Sequence, residues 1–167
     1  FRLGPGEYGI VGSAMGVGAL AAALWAAGRR RPRLRHILLG MAGYVVFNLC
    51  AAFAPGFRLF VALQVPVGLA TITALVTTNT LLQGATDPQY RGRVMSLWGL
   101  VILGVTPLVS PVVGWLGDVS GPRWTILFGV VAVAIAMVVI AAVAMRLDGL
   151  QLRLDRHHRG WLRLMKG

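Results

Sequence analysis

Five long apolar stretches, at 8–27, 36–54, 59–85, 94–116 and 123–145, alternate with short polar gaps along the chain. Each is close to or longer than the ~20 residues with which an α-helix crosses ~30 Å of hydrocarbon at ~1.5 Å per residue. The pattern predicts an all-α membrane protein with five transmembrane helices in residues 1–145 and a basic tail in 146–167.

The spans differ in what interrupts their apolar character. The first is rich in small residues, and Gly12 and Gly16 form a small-xxx-small ridge on which a second backbone can pack closely. The second is bulky and apolar except for Asn48, a lone amide that predicts a hydrogen bond to a neighbouring helix. Pro55-Gly56-Phe57 follows, a turn short enough to require an antiparallel hairpin. The third span is the most polar, and Pro66 predicts a kink in it. At ~100° per residue, Gln64, Gly68, Thr71, Thr78 and Asn79 share about one third of the circumference, with Thr73, Thr77 and Thr80 opposite. A threonine hydroxyl can bond the preceding turn's carbonyl, whereas the amides of Gln64 and Asn79 have no such cheap outlet. Gln64, Thr71, Thr78 and Asn79 are therefore expected to line a polar pathway, the alternative being helix–helix packing. The fourth span carries Gly104, Pro107, Pro111, Gly114 and Gly117, and its prolines predict a helix that bends or moves. The fifth, from Trp124 through Met145, is apolar all round apart from Thr125, as expected of a helix facing lipid.

Charge orients this pattern. Of the 16 basic residues, all but Arg2, Arg58 and Arg123 lie after the first, third or fifth span. Those gaps share one side of the membrane, and short basic loops remain cytoplasmic. The amino end is thus expected outside and the carboxyl end inside a multi-pass cell (inner) membrane protein. An outside start at Phe1, with no basic n-region before the first span, predicts upstream membrane segments and a carboxyl-terminal piece of a larger protein.

A chain that is 57% hydrophobic and 13% charged falls outside the soluble globular class. In a soluble protein the net charge of +11 would raise nucleic acid as a partner. Here the arginines sit where helices meet headgroups, so the expected partner is the lipid bilayer and not nucleic acid. The tail alternates Leu and Arg and ends in Trp161, Leu162, Leu164 and Met165, which predicts an amphipathic segment in the inner interface. Gly4-Pro5-Gly6-Glu7-Tyr8-Gly9 has the letters of a dinucleotide fingerprint but lacks a preceding strand, so no cofactor is expected. His157 and His158 point apart on a helix and have no companion ligands, so no metal is expected. The spans hold no convergent nucleophile or acid–base pair, which argues against an enzyme.

Between the third and fourth spans the chain reads Asp87-Pro88-Gln89-Tyr90-Arg91-Gly92-Arg93-Val94-Met95-Ser96. Asp87, Arg91 and Arg93 form a plausible conformational latch, pairing between helix ends in one state and separating in another. Gly92 would permit a tight turn between them.

This stretch resembles the loop between helices ten and eleven of the major facilitator superfamily of transporters, closest to the drug and siderophore (enterobactin-type) exporter branch. There a D-x-x-x-R-G-R-V-x-S loop leads into a Gly/Pro-rich helix ending in G-W-L-x-D, matched here by Asp87, Arg91, Gly92, Arg93, Val94, Ser96 and then Gly114, Trp115, Leu116 and Asp118. The opening Gly4-Pro5-Gly6-Glu7-Tyr8-Gly9 is similar to the start of helix eight. The resemblance covers residues 4–145 and implies helices eight to twelve, most of the C-terminal six-helix bundle of a major facilitator fold. It implies export of a small-molecule substrate by alternating access, with the third and fourth spans lining the cavity and the missing N-terminal helices completing it. Pro66, Pro107 and Pro111 would then be bending points. The loop after the first span departs from the family in having no acidic residue before its arginines. The span interiors hold no Asp, Glu, Lys or Arg, so the coupling group of a proton-driven carrier is not among them. A non-transporting membrane scaffold or sensor is the alternative reading.

Overall fold

The structure, a computed structural model, describes residues 5–28 and 33–164, without the side chains of residues 5, 122 and 147–164. The described residues contain five helices: α1 (Pro5–Ala27), α2 (Leu34–Ala52), α3 (Phe57–Ala85), α4 (Arg91–Ser120) and α5 (Pro122–Leu164). No strand occurs among the described residues. All five helices contain a stretch long and apolar enough to cross a membrane. The chain divides into two compact units, Phe1–Ala134 and Ile135–Gly167. The described part of the second is the remainder of α5. The side chains of the tail, on which its amphipathic character depends, lie outside the described residues.

Local chemistry sets the helix ends. Arg33 adopts an extended conformation before α2, and its backbone N–H donates to Nδ1 of His36 at 3.2 Å. Pro55 and an extended Gly56 separate α2 from α3, and the Phe60 N–H closes the first turn on the Gly56 carbonyl. Asp87 and Pro88 open a turn closed by the Tyr90 N–H on the Asp87 carbonyl at 3.0 Å, the arrangement that Asp followed by Pro favours. Gly92 was expected to make this turn but lies inside α4 with an ordinary helical backbone. Among the described residues the positive-φ one is Gly121 instead, at φ 89°, whose N–H caps the Gly117 carbonyl at 3.0 Å. A glycine tolerates that conformation, and Pro122 then begins α5 with a φ already suited to a helix.

In unit 1, α3 is the central helix, flanked by α1 and α2. Among the described residues, five of the eight buried apolar ones, Ala22, Ala51, Ala52, Ala54 and Ala70, are alanines, so contact is made largely by backbones and methyl groups. That suits a bilayer, where apolar side chains gain little by leaving lipid and close van der Waals packing drives association. A Cβ on Gly18 would overlap the Val65 carbonyl of α3, and one on Gly68 would overlap the Met15 carbonyl of α1. On the other flank, a Cβ on Gly40 would stand 2.8 Å from the Ala70 carbonyl oxygen. The predicted ridge of Gly12 and Gly16 is not at this crossing: both face open space among the described residues. The crossing uses the next register round α1, through Gly18 and the fully buried Ala22.

The helix α4 contrasts with α3, having no buried residue along its 30-residue length. It is continuous through Pro107 and Pro111, and α3 is continuous through Pro66. A proline supplies no N–H, so the carbonyls of Ala62, Leu103 and Pro107 lose their usual helical donors.

Candidate functional site

The polar side chains of α3 divide into three groups. Gln64 is buried at 7% exposure, and its amide makes no hydrogen bond among the described residues. Thr71 and Thr78 are half-buried and donate to the Val67 and Ala74 carbonyls of their own helix, each at 2.8 Å. Asn79 is half-buried, and its Oδ1 accepts from the Gln83 side-chain amide one turn later. The four predicted pathway residues therefore lie on one side of α3 but in different surroundings. Gly68, between Gln64 and Thr71 on that side, is taken up by the crossing with α1.

The opposite stripe is the more enclosed one. Thr73 and Thr77 are buried, while Thr80 is exposed. Thr77 donates to the Thr73 carbonyl at 2.6 Å, but the Thr73 hydroxyl is buried with no partner. Periodicity alone did not single out Thr73, because a threonine's ability to satisfy itself locally cannot be distinguished from its failure to do so in a sequence. Gln83 was likewise missed, although an amide four residues after Asn79 is a readable i,i+4 signal. Asn48 was expected to bond a neighbouring helix. It donates instead to the Tyr44 carbonyl of α2 at 3.1 Å, the outlet usually taken by threonine.

At the end of α3, Asp87, Arg91 and Arg93 are all exposed, and no ion pair joins them among the described residues. The carboxylate and both guanidinium groups are thus available to other partners. Ser96 donates to the Gly92 and Arg93 carbonyls, each at 3.0 Å, tying down the first turn of α4. In α4 itself, Thr106 donates to the Ile102 carbonyl and Ser110 to the Thr106 carbonyl, beside the two prolines. No group of three or more His, Cys, Asp or Glu that could hold a metal ion occurs among the described residues. Cys50 is a free, exposed thiol.

Long apolar helices in series, one of them packed on small residues and carrying a polar stripe, define a multi-pass helical membrane protein. The chain belongs to the Major Facilitator Superfamily, whose family model matches residues 1–164. It is similar to the multidrug efflux pump LfrA of Mycolicibacterium smegmatis, 31% identical over 97 residues, which is 58% of this chain and 19% of that protein. It is also similar to the efflux pump radE of Floropilus chiversii, 29% identical over 107 residues, covering 63% of this chain and 19% of the pump. The chain thus matches about a fifth of the length of these curated relatives. No solved structure matches it.

Proposed function

We propose that this chain is the C-terminal part, helices eight to twelve, of a major facilitator exporter that moves a small molecule outward by alternating access. The observation that carries the reading is Gln64 on the polar side of α3, a residue 7% exposed whose amide has no hydrogen-bond partner among the described residues. An amide in such a position is open to a hydrogen bond from a substrate or an opposing helix. Thr71, Thr78 and Asn79 continue that side toward the cytoplasmic end, where their remaining acceptor capacity faces the pathway. The names of the two similar efflux pumps support export, and the Asp87–Ser96 motif supports the drug and siderophore branch.

The missing N-terminal helices are the expected partner of α4, whose apolar length is nowhere buried among the described residues. Pro66, Pro107 and Pro111 supply the bending points, and Asp87, Arg91 and Arg93 latch one state against loops outside this chain. The arginine distribution supports an outside amino end and a cytoplasmic carboxyl end.

The test is export by the full-length protein that contains these residues. Accumulation of a cationic and an anionic fluorescent dye would be followed in cells carrying the parent, Gln64→Leu or Asn79→Leu. Slower efflux in the variants at unchanged membrane abundance is the expected result. Parent and variants that fail alike to lower the accumulation of either dye would instead favour the scaffold or sensor reading.

A further inference from the structure

At the end of unit 1 opposite Arg91 and Arg93, the start of α1, the α2–α3 turn and the α4–α5 turn border a half-open cavity of about 650 Å³. Its size lies within the ~300–1,000 Å³ typical of small-molecule sites. The polar stripe of α3 begins beyond it, since Phe60 is the residue through which α3 reaches this space.

The void originates in the sequence. Ala51, Ala52 and Ala54 form its floor, each only 3% exposed, and none has a side chain beyond Cβ with which to fill it. Aromatic rings stand around them: Tyr8 from α1, Phe60 from α3 and Trp124 from α5. Tyrosine and tryptophan favour the membrane–water interface, where a ring can rest on apolar material while its polar edge stays wet. The charged group in the lining is Arg123, which is exposed and makes no ion pair among the described residues. A guanidinium at the rim of an apolar, ring-lined space presents a planar fork to phosphate, carboxylate or sulfonate while the cavity receives an apolar body.

We propose that this cavity is a binding site for an amphiphile with an anionic head, held by Arg123, and an apolar body lodged over the three alanines. The occupant comes from one of two sources with the same chemistry, an anionic phospholipid of the adjoining leaflet or a hydrophobic organic anion from the water. The site does not depend on the transport reading, because none of its residues belongs to the polar stripe or the charged loop.

Trp124 provides the probe. The chain, with Trp25, Trp98, Trp115 and Trp161 replaced by Phe, is placed in phosphatidylcholine nanodiscs. Trp124 quenching by dibrominated phosphatidylglycerol is compared with quenching by dibrominated phosphatidylcholine. In a second arm, energy transfer from Trp124 to anilinonaphthalene sulfonate is compared with transfer to the uncharged anilinonaphthalene. A several-fold preference for the anionic member of either pair is expected, and the arm that shows it identifies the source. Arg123→Gln should remove the preference, and Ala51→Leu, which fills the floor, should weaken both anionic signals. Circular dichroism shows that the helices persist in each variant. Equal response to charged and uncharged probes overturns the proposal, as does a preference that survives in both variants.

Discussion

Replacing Gly18 with alanine tests the packing of α1 on α3 against two internal controls on the same helix. The added methyl group would overlap the Val65 carbonyl oxygen and lie 2.8 Å from its carbon and 2.9 Å from the Leu69 nitrogen. All three atoms are backbone, so no side-chain rotation relieves the clash and the helices must separate. Overpacking of this kind costs about 1–3 kcal/mol. The same substitution at Gly12 or Gly16 meets nothing within 4 Å. Glycine to alanine also favours any helix by about 0.5–1 kcal/mol, but this gain is common to all three sites and cancels between them. The difference between Gly18→Ala and either control is therefore the steric cost alone, about 1–3 kcal/mol or 5- to 150-fold in the unfolding equilibrium. The assay is reversible unfolding of the chain in mixed micelles with increasing sodium dodecyl sulfate, followed by tryptophan fluorescence. If Gly12→Ala or Gly16→Ala lowers stability as much as Gly18→Ala, the assignment of the crossing is wrong.

Other outcomes are expected at separate sites. In the full-length protein, Arg91→Ala with Arg93→Ala should depress transport more than membrane insertion, and unchanged dye efflux would remove the latch. Gly40→Ala should destabilise the α2–α3 contact by about 1–3 kcal/mol in the same unfolding assay, because the Ala70 carbonyl and the Ala74 nitrogen lie within 3 Å of the new methyl. For sidedness, Cys50→Ser allows single cysteines to be placed at Gly56 and Thr86. A membrane-impermeant maleimide should label the first in intact cells and the second only after permeabilisation, and the reverse would invert the topology.

The helices were legible in the sequence because each span approaches or exceeds a bilayer's thickness and the gaps carry strong punctuation, such as Pro55-Gly56 and Gly121-Pro122. Contacts were harder to read. In α1, small residues occur on nearly every face, so Gly12-x-x-x-Gly16 and Gly18-x-x-x-Ala22 were equally good ridges. The choice between them depends on where α3 lies, which one helix's pattern cannot encode. The same limit applies to polar side chains. The spacing of Gln64, Thr71, Thr78 and Asn79 showed a shared side, but not that Gly68 on that side is occupied by α1. Asn48 was misread because an amide in lipid has two outlets, a neighbouring helix or its own previous turn, and both look the same as letters. The turn at Asp87-Pro88 was credited to Gly92, although the better turn residues were the Asp and the Pro themselves.

The central position of α3 also sets a timetable for assembly. Helices α1 and α2 find their main partner in α3 rather than in each other, so they enter the membrane before that partner exists. At about 5–20 residues per second, the 29 residues of α3 take roughly 1.5–6 s to synthesise. For that interval Gly18 and Gly40 lack the α3 backbone they pack against, and α1 and α2 can exchange neighbours until α3 arrives between them. A pause in translation before α3 would lengthen this interval, and one after it would not.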